Sequence, residues 1–525
     1  MTNLKNLTNH NTKNSNSKLP QTPVFLILLA FVICVSGLTL TGCKSRNKNN
    51  LENTVFGVED FTGKKIGVQL GTTGDIYASD YEDKKTKTVV ERYNKGADAI
   101  SSLVQGKIDC VIIDEEPAKA YISNNPTLMI LDEPMAVEDY AAVIDKDNNE
   151  LLSSVNAALE ELQAEGIVNK IVNNYIADEK TGETTEFHYE QTVTKGEELH
   201  VSTNATFPPY EYYENGEIVG IEIDLAKAIA DKLNRVLVID DIEFDAIINA
   251  VDSGKTDIGM AGFTVTEERK EQISFSTTYA TSKQVIIVRD NDSNAGKSSI
   301  KERFKSVFVE EGRWKFLVQG LLHTILITFC SLIIGSILGF LIALIRVTYD
   351  MNGTFKVPNI LVRIYVTIIR GTPMMVQLLI IYFVIFASVD INKIVVAIIA
   401  FGINSSAYLS EVIRSGIMSI PKGQFEAGKS LGISFFSLMI HIILPQAIKN
   451  VLPAIGNEFI SLLKETSISG YIGLLDLTRG GDIIRGVTYE SFIPLITVAI
   501  IYLIMVLILT RAVKRMENYL KKNER

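Results

Sequence analysis

The stretch PKGQFEAGKSLGISFFSLMIHIILP, residues 421–445 of a 525-residue chain, begins with a short, mostly polar segment and continues into an apolar region after Ser430. Residues 423–430 spell G-x-x-x-x-G-K-S, which is formally the phosphate-binding pattern of ATPases. That pattern needs a buried strand before its glycines and an ATPase domain of roughly 200 residues around it. Apolar segments lie on both sides instead, so we expect no ATP binding by this chain.

A second spacing in the same stretch has a different meaning. Glu426, Ala427 and Gly428 are followed by Gly432 and then by Pro445. This resembles the EAA loop of ABC-importer permeases, in which a helix, a bend at the glycine and a second helix fit a groove on the ATPase. The family often has a second alanine at the position of Gly428. The resemblance implies a separate cytoplasmic ABC ATPase as partner and a chain that is not an enzyme, with no cofactor and no metal.

The region around this loop is apolar enough to cross a membrane repeatedly. About 20 mainly apolar residues span a bilayer, which predicts five helices. They are 317–345, 365–388, 392–413, 450–474 and 491–511. Basic residues concentrate after the first helix, in the loop 421–445 and in the C-terminal tail, so the positive-inside rule places those segments in the cytoplasm. Residues before 314 are then expected outside the cell.

Two motifs identify the kind of membrane protein. IYVTIIRGTPMMVQL at 364–378 and LPAIGNEFISLLKETSIS at 452–469 resemble the permeases of polar amino acids, and the resemblance extends over residues 314–520. It implies an all-α permease domain that works as a dimer, with a second copy or with a similar permease.

The N-terminus carries an export signal. An apolar run ends in Leu40-Thr41-Gly42-Cys43, which resembles a lipobox, so residues 1–43 are interpreted as a lipoprotein signal and Cys43 as the acylated residue. An uncleaved membrane anchor is the alternative. The four cysteines offer no disulfide framework. The net charge of −10 falls mainly on the polar half and does not suggest a nucleic-acid partner.

The polar half resembles an extracellular amino-acid-binding protein of family 3 whose two portions are exchanged. HVSTNATFPPYEYYENGEIVGIEIDLAKAIADKL at 200–233 and GKTDIGMAGFTVTEERKEQISFSTTY at 254–279 resemble the opening of that family. DFTGKKIGVQLGTTGD at 60–75 and KIDCVIIDEEPAKAYI at 107–122 resemble its later portion. Either portion alone is too small for two lobes and a cleft. We therefore expect one circularly permuted α/β domain, and exchange of lobes between neighbouring chains is the alternative.

The expected boundaries follow from these assignments. After a linker at 44–57, the binding domain covers 58–292, and a second linker at 293–313 leads to the permease domain. Lobe 2 is predicted at 58–138 and 283–290, lobe 1 at 139–280, and the joining segment at 177–198. If extended, that segment reaches up to about 70 Å, enough to connect the original termini.

The resemblance also implies how an amino acid is held. Arg269 matches the residue that binds the α-carboxylate, aided by Thr264 and the backbone at Gly262. Thr72 and Thr73 lie at a predicted helix N-terminus, where free N–H groups favour the same anion. A solvated Arg269 paired with a neighbouring acid is the simpler alternative.

Other positions match the rest of the ligand. Asp114 matches the acid that binds the α-ammonium, although it can also be a plain helix cap. Phe207 and Phe244 match aromatic residues that enclose the side chain. Asn204 and Gln69 are neutral where relatives often carry charges, which favours a neutral ligand such as glutamine. Glutamate, cystine or a broad specificity stays open, because an amide both donates and accepts.

Together these features predict a fused receptor and permease subunit of an ABC importer for polar amino acids. It would be a multi-pass protein of the plasma membrane, with an extracellular binding domain and a cytoplasmic C-terminus. A ligand-gated membrane receptor or sensor is the alternative, since such proteins use the same two-lobed domain.

Overall fold

The computed structural model describes residues 52–522 except 178–181, 183, 292–299, 388 and 390. The lipidation site predicted at Cys43 and the signal segment lie outside the described residues. From residue 53 onward the chain forms one compact unit. It has an α/β part followed by a helical part, as predicted from the sequence.

Fourteen strands lie in the described residues of the α/β part. They are β1 (Lys65–Gln69), β2 (Val89–Tyr93), β3 (Cys110–Asp114), β4 (Leu128–Ile130), β5 (Ala136–Tyr140), β6 (Val143–Ile144), β7 (Glu198–Thr203), β8 (Thr206–Phe207), β9 (Glu211–Glu214), β10 (Glu217–Val219), β11 (Val236–Asp241), β12 (Ile258–Gly259), β13 (Ser274–Phe275) and β14 (Ala280–Arg289). The α-helices between them are α1 (Thr73–Ser79), α2 (Gly96–Val104), α3 (Glu115–Asn124), α4 (Asn149–Ala164), α5 (Ile167–Tyr175), α6 (Ile221–Lys232), α7 (Ile247–Asp252) and α8 (Glu267–Lys270).

Two separate sheets organise this part. The first has the order β2-β1-β3-β14-β4, with β5 also paired to β14, and the second has the order β11-β7-β12-β6-β13. All five residues of β3 are buried, as expected for a strand inside a sheet that is covered on both faces. The chain passes between the sheets after β5 and again before β14, which gives two crossovers.

Helices cover the sheets with one apolar face each. In α4, Leu151, Val155, Leu159 and Leu162 are buried, a spacing that places them on one side of the helix. Asn148 starts this helix because its side chain accepts a hydrogen bond from the Leu151 N–H. The joining segment is held against α6, where the Asp231 carboxylate accepts bonds from the backbone of residues 192 and 193.

The helical part has ten α-helices among the described residues. They are α9 (Ile300–Phe308), α10 (Trp314–Asn352), α11 (Lys356–Gly371), α12 (Met374–Ile380), α13 (Lys393–Met418), α14 (Lys422–Ser430), α15 (Phe435–Leu438), α16 (Leu444–Glu465), α17 (Leu477–Thr488) and α18 (Phe492–Lys522). A π-helical turn follows α12 and another follows α15, and a 3-10 helix, Thr466–Ile472, follows α16.

Four helical stretches of the described residues are long and apolar enough to cross a membrane, and a bent pair would make a fifth. The bent pair, 356–371 with 374–385, turns by 108°. It takes the place of the spanning helix predicted at 365–388. The break falls at Thr372, before Pro373, because proline disfavours the helical conformation in the residue that precedes it.

Small residues allow the longest helices to pack closely. A Cβ atom built on Gly335 of α10 would lie 2.9 Å from the Ser405 Cβ of α13, and one on Gly339 would lie 3.0 Å from the Leu409 Cβ. Both glycines lie on the same face of α10, one turn apart. Such a stripe is typical of helices that associate within a membrane.

The α/β part rests on one end of the helical part. Arg479 of α17 donates to Asp241 at 2.8 Å and also to Glu243, and the Lys393 Nζ at the start of α13 lies 2.7 Å from Asp240. The loop 421–445 lies at the other end, since α13 leads to it and α16 leads back. The 26 residues of α13 correspond to about 39 Å.

Candidate functional site

The candidate site is a cleft between the two sheets. β1 ends at Gln69 and β3 ends at Asp114, while Asn204 directly follows β7. β1 and β3 are parallel, as are β7 and β11. Residues at the carboxyl ends of neighbouring parallel strands therefore meet in one place, where open α/β sheets usually bind ligands.

One cavity in this cleft is lined by nine of the ten predicted ligand residues. Its lining consists of Gln69, Thr72, Thr73, Asp114, Asn204, Phe207, Glu211, Phe244, Ala261, Gly262 and Arg269. The free space is about 10 Å³, which is about enough for one water molecule. The two sides of the cleft are thus in contact, and an amino acid enters only if they separate. Thr264, the tenth residue, does not line this cavity, but its hydroxyl oxygen lies 3.4 Å from that of Thr73.

Arg269 is the cation of the cleft. It is 7% exposed, and its guanidinium donates to the carbonyl oxygens of Thr264 at 2.9 Å and of Gly71 at 2.8 Å. The second bond crosses from one side of the cleft to the other. Among the described residues no carboxylate forms an ion pair with Arg269. Its charge is buried with only neutral hydrogen-bond acceptors, which is an environment that favours an incoming anion.

Two of the three threonines predicted near Arg269 contact a buried acid. Thr72 is the N-cap residue of α1, as expected. The hydroxyls of Thr73 and Thr264 both donate to Glu138 Oε2, at 2.9 and 2.8 Å. These two hydroxyls are therefore already engaged when the cleft is closed, and they link its two sides through Glu138.

Asp114 lies at the N-cap position of α3 but its side chain makes no capping bond. Its carboxylate instead accepts a hydrogen bond from the hydroxyl of Tyr140. Burial, with a contribution from Glu138, raises the pKa of Asp114 to about 7. The carboxylate is therefore held inside the cleft, where a cation would stabilise its ionised form.

The two predicted amides meet across the cleft. The Gln69 Nε2 lies 3.5 Å from the Asn204 Oδ1. Asn204 also accepts from Thr206 at 2.8 Å and donates to the Ile242 carbonyl at 2.7 Å. Gln69 accepts from the Gly96 N–H at 3.2 Å. Each amide is thus oriented by its own side of the cleft.

The aromatic residues form two of the walls. Phe207 stacks on Tyr210 with 5.6 Å between ring centroids, and Phe244 stacks on Phe263 with 4.7 Å. Gly262 packs against Phe207 with φ +62°, and an added Cβ would lie 2.9 Å from that ring. Its N–H donates to Glu222 at 2.8 Å, so in the closed cleft this amide is not directed at the cavity.

The loop 421–445, which we call the EAA loop, has a helix-bend-helix geometry. Gly428 of α14 is buried, and a Cβ built on it would lie 2.4 Å from the Leu438 Cδ1 of α15. Gly432 has φ +74° between the helices, a conformation that costs glycine little. Glu426, Ala427 and Pro445 are exposed.

Comparison with known proteins identifies the family of the chain. Residues 199–466, just over half of its length, match the family model of bacterial extracellular solute-binding proteins, family 3. The chain belongs to this family.

The chain also has relatives among the permeases. A putative glutamine transport system permease protein of Rickettsia typhi is 39% identical over 205 residues, which are 39% of this chain and 92% of that protein. An arginine transport system permease protein of Bacillus subtilis is 40% identical over 211 residues, or 40% of this chain and 94% of that protein. A crystal structure of an amino acid ABC transporter with histidines is 38% identical, covers 43% of this chain and all of that chain, and has a TM-score of 0.38.

This family 3 protein therefore carries its receptor and its permease in one polypeptide, as the motifs predicted. It is a multi-pass membrane protein and a transporter subunit, not an enzyme. The G-x-x-x-x-G-K-S pattern lies entirely within α14, so these residues form no phosphate-binding loop.

Two buried acids of the cleft were not predicted. Glu138 is 4% exposed and accepts the two threonine hydroxyls, and Glu211 is fully buried in the cavity wall. Burial, together with Glu222, raises the pKa of Glu211 well above its usual range. Both acids lie in short strands whose polar-apolar alternation does not distinguish a buried carboxylate from a solvated one.

Proposed function

We propose that the cleft binds a neutral polar amino acid, such as glutamine, for import by the ABC transporter of which this chain is the receptor and membrane subunit. One observation carries the proposal. Arg269 is a buried cation without an ion-pair partner among the described residues, and it shares its cavity with the buried carboxyl group of Asp114. A free amino acid offers the matching pair of charges, a carboxylate and an ammonium.

In this proposal each wall of the cavity has one task. Arg269 binds the α-carboxylate bidentately, and Thr72, Thr73 and Thr264 add donors once the cleft opens and closes around the ligand. Asp114 binds the ammonium group. A planar guanidinium suits a carboxylate better than a lysine would, since its donors form a rigid fork.

The side chain of the ligand is proposed to extend toward Gln69 and Asn204, between the rings of Phe207 and Phe244. Both amides lie on the cavity wall and both combine a donor with an acceptor. A ligand side chain that ends in an amide can pair with them without leaving a charge uncompensated. This favours glutamine over a cationic or an anionic amino acid.

We also propose the orientation in the membrane. The α/β part contacts the starting end of α13 through Lys393, whereas the EAA loop follows the other end of that helix. Basic residues lie in the EAA loop and the C-terminal tail. The binding domain would accordingly be extracellular, and the EAA loop and C-terminus cytoplasmic, where the ATPase is.

The α/β part is proposed to be one permuted binding domain that closes within a single chain. Strand β14, which is late in the sequence, pairs with β3, β4 and β5 of the first sheet. Lobe 2 would then comprise 58–138 with 283–290, and lobe 1 139–280. Because α9 lies inside the predicted linker 293–313, that linker is partly helical.

The transporter is proposed to contain two permease subunits, either two copies of this chain or one copy with a similar permease. Helix α18 supports this, because only 11% of its most apolar stretch is buried within the chain. Its apolar surface is available to lipid and to a second subunit.

Calorimetry on the purified full chain in detergent tests the substrate proposal. L-Glutamine, L-glutamate, L-arginine and L-cystine would be titrated in parallel. We expect one saturable site per chain, with the tightest binding for glutamine. Tightest binding of arginine would contradict the assigned selectivity, and no binding of any amino acid by the folded chain would contradict the assigned site.

A further inference from the structure

A second polar cavity lies between the α/β part and the helical part. Its volume is about 300 Å³, which is at the lower end of the range for small-ligand pockets. On the membrane side it is bounded by α17 and by the 3-10 helix Thr466–Ile472. On the other side it is bounded by Lys95 and Asp98 at the start of α2, and by Glu243.

This cavity and the cleft share a wall. Lys95 immediately precedes Gly96, whose N–H donates to the Gln69 side chain of the cleft at 3.2 Å. Glu243 immediately precedes Phe244, which lines the cleft. The two cavities are therefore adjacent, since Lys95 and Glu243 are the sequence neighbours of residues at the cleft.

Both arginines in the cavity wall already have acidic partners. Arg479 pairs with Asp241 and with Glu243, and Arg485 pairs with Asp98 and with Asp482. The pairs with Asp241, Glu243 and Asp98 also hold α17 against the α/β part. Both guanidinium charges are therefore already compensated by carboxylates, although the Arg485 Nε makes no hydrogen bond to a described residue.

Lys95 is different. It is 5% exposed, and its Nζ makes no hydrogen bond to any residue that the structure describes. Burial and the nearby Arg479 lower the pKa of its ammonium group. A buried ammonium without a partner is costly, and this one faces a polar cavity with room for an anion.

We infer that this cavity is a transit site, in which the Lys95 Nζ binds the α-carboxylate of the amino acid on its way from the cleft to the permease. The inference rests on the proposed function, because it takes the same ligand one step further. Opening of the cleft separates the carboxylate from Arg269, and Lys95 is the cation that replaces it. The fixed charges of Arg479 and Arg485 keep the cavity assembled while the ligand passes.

The test uses the full chain copurified with its ATPase and reconstituted into liposomes. Lys95→Met removes the charge and keeps the volume. Binding of L-glutamine is measured by calorimetry, and ATP-dependent uptake of radiolabelled L-glutamine is measured over the first minute. We expect the Kd to stay within about twofold while the uptake rate falls roughly tenfold, as for loss of a single charge-assisted hydrogen bond.

Two further variants separate a transit role from a structural one. Lys95→Arg keeps the charge and should retain most of the uptake. Lys95→Met combined with Asp482→Asn tests whether Lys95 serves only to neutralise Asp482. If Lys95 binds the ligand, uptake by this double variant should stay slow. The thermal midpoint of each variant shows that it is folded.

Three results would overturn the inference. They are wild-type uptake by Lys95→Met, restored uptake when Asp482→Asn is added, and a Kd that weakens in step with the uptake rate. If the unmodified chain neither binds nor transports any amino acid of the panel, the proposed function itself is wrong. That outcome is distinct, because it appears before any variant is compared.

Discussion

In the cleft charged side chains are buried, whereas in the EAA loop apolar side chains are exposed. Arg269 and Asp114 are 7% and 6% exposed, while Leu431 and Phe436 on the loop are 79% and 75% exposed. The two regions thus suit different partners. A small polar ligand is recognised by charges and hydrogen bonds that are shielded from water, whereas a protein partner is held by apolar area that becomes buried on contact.

The comparison predicts that substitutions can abolish amino-acid binding by the cleft without weakening ATPase binding by the EAA loop, and the reverse. Arg269→Ala should have the largest effect, because it removes the only buried guanidinium of the described cleft wall. We expect a loss of about 4 kcal/mol in amino-acid binding, or roughly a thousandfold in Kd. Calorimetry on the full chain measures it. The control is Lys270→Ala, an exposed neighbour in α8, and copurification of the ATPase should be unchanged in both variants.

On the loop, the double substitution Leu431→Ser with Phe436→Ser should weaken the ATPase complex by about 2–3 kcal/mol, since two apolar contacts are lost. Copurification from membranes, quantified against the permease band, measures it. Val137→Ser is the matched control, because Val137 is 65% exposed but lies in the binding domain. A loop variant that keeps its ATPase while amino-acid binding is lost would reverse the assigned roles.

The cleft should also respond to pH, and the EAA loop should not. The pKa of Asp114 is raised to about 7, so the carboxyl group is mostly protonated below that pH and must lose its proton to bind an ammonium. Affinity should therefore fall about tenfold between pH 8 and pH 6. Asp114→Asn should bind more weakly at pH 8 and show a flat profile. If the affinity of the wild-type chain does not change over this pH range, Asp114 does not bind the ammonium group of the ligand.

The smallest expected effect concerns the packing of α14 against α15 in the EAA loop. Gly428→Ala places a Cβ against the buried Leu438 and should weaken ATPase association by about 1 kcal/mol through strain between α14 and α15. Leu438→Ala in the same chain should remove the strain and restore part of the complex. If Gly428→Ala binds the ATPase as well as the wild type, the packing of these two helices is not what positions the loop.

The sequence motifs predicted the class of fold and of transporter because each motif depends on the conformation of a few residues that are close in sequence. Gly432 is needed at a positive φ, and Asp114 and Asn204 are placed by the strands that precede them. Residues that follow the carboxyl ends of strands come together in such folds. Nine of the ten predicted ligand residues accordingly line one cavity. That they bind an amino acid stays a prediction.

The remaining features depend on contacts distant in sequence. Glu138 is buried because Thr73 and Thr264 approach it from opposite sides of the cleft, and its own strand gives no sign of that. Pro373 is visible in the sequence. Hydropathy, however, gives the length of an apolar segment and not whether its helix bends, so the break at Thr372 was not predicted. Lys95 looks like an ordinary surface lysine until α17 covers it.

The central claim is that one chain joins an amino-acid cleft to an ATP-driven permease. Uptake of radiolabelled L-glutamine into liposomes containing the full chain and its copurified ATPase tests this most directly. We predict saturable uptake that requires ATP, and that is abolished both by Arg269→Ala and by the Leu431→Ser, Phe436→Ser pair. Flux that follows the gradient without ATP, or uptake that survives both variants, would contradict the account.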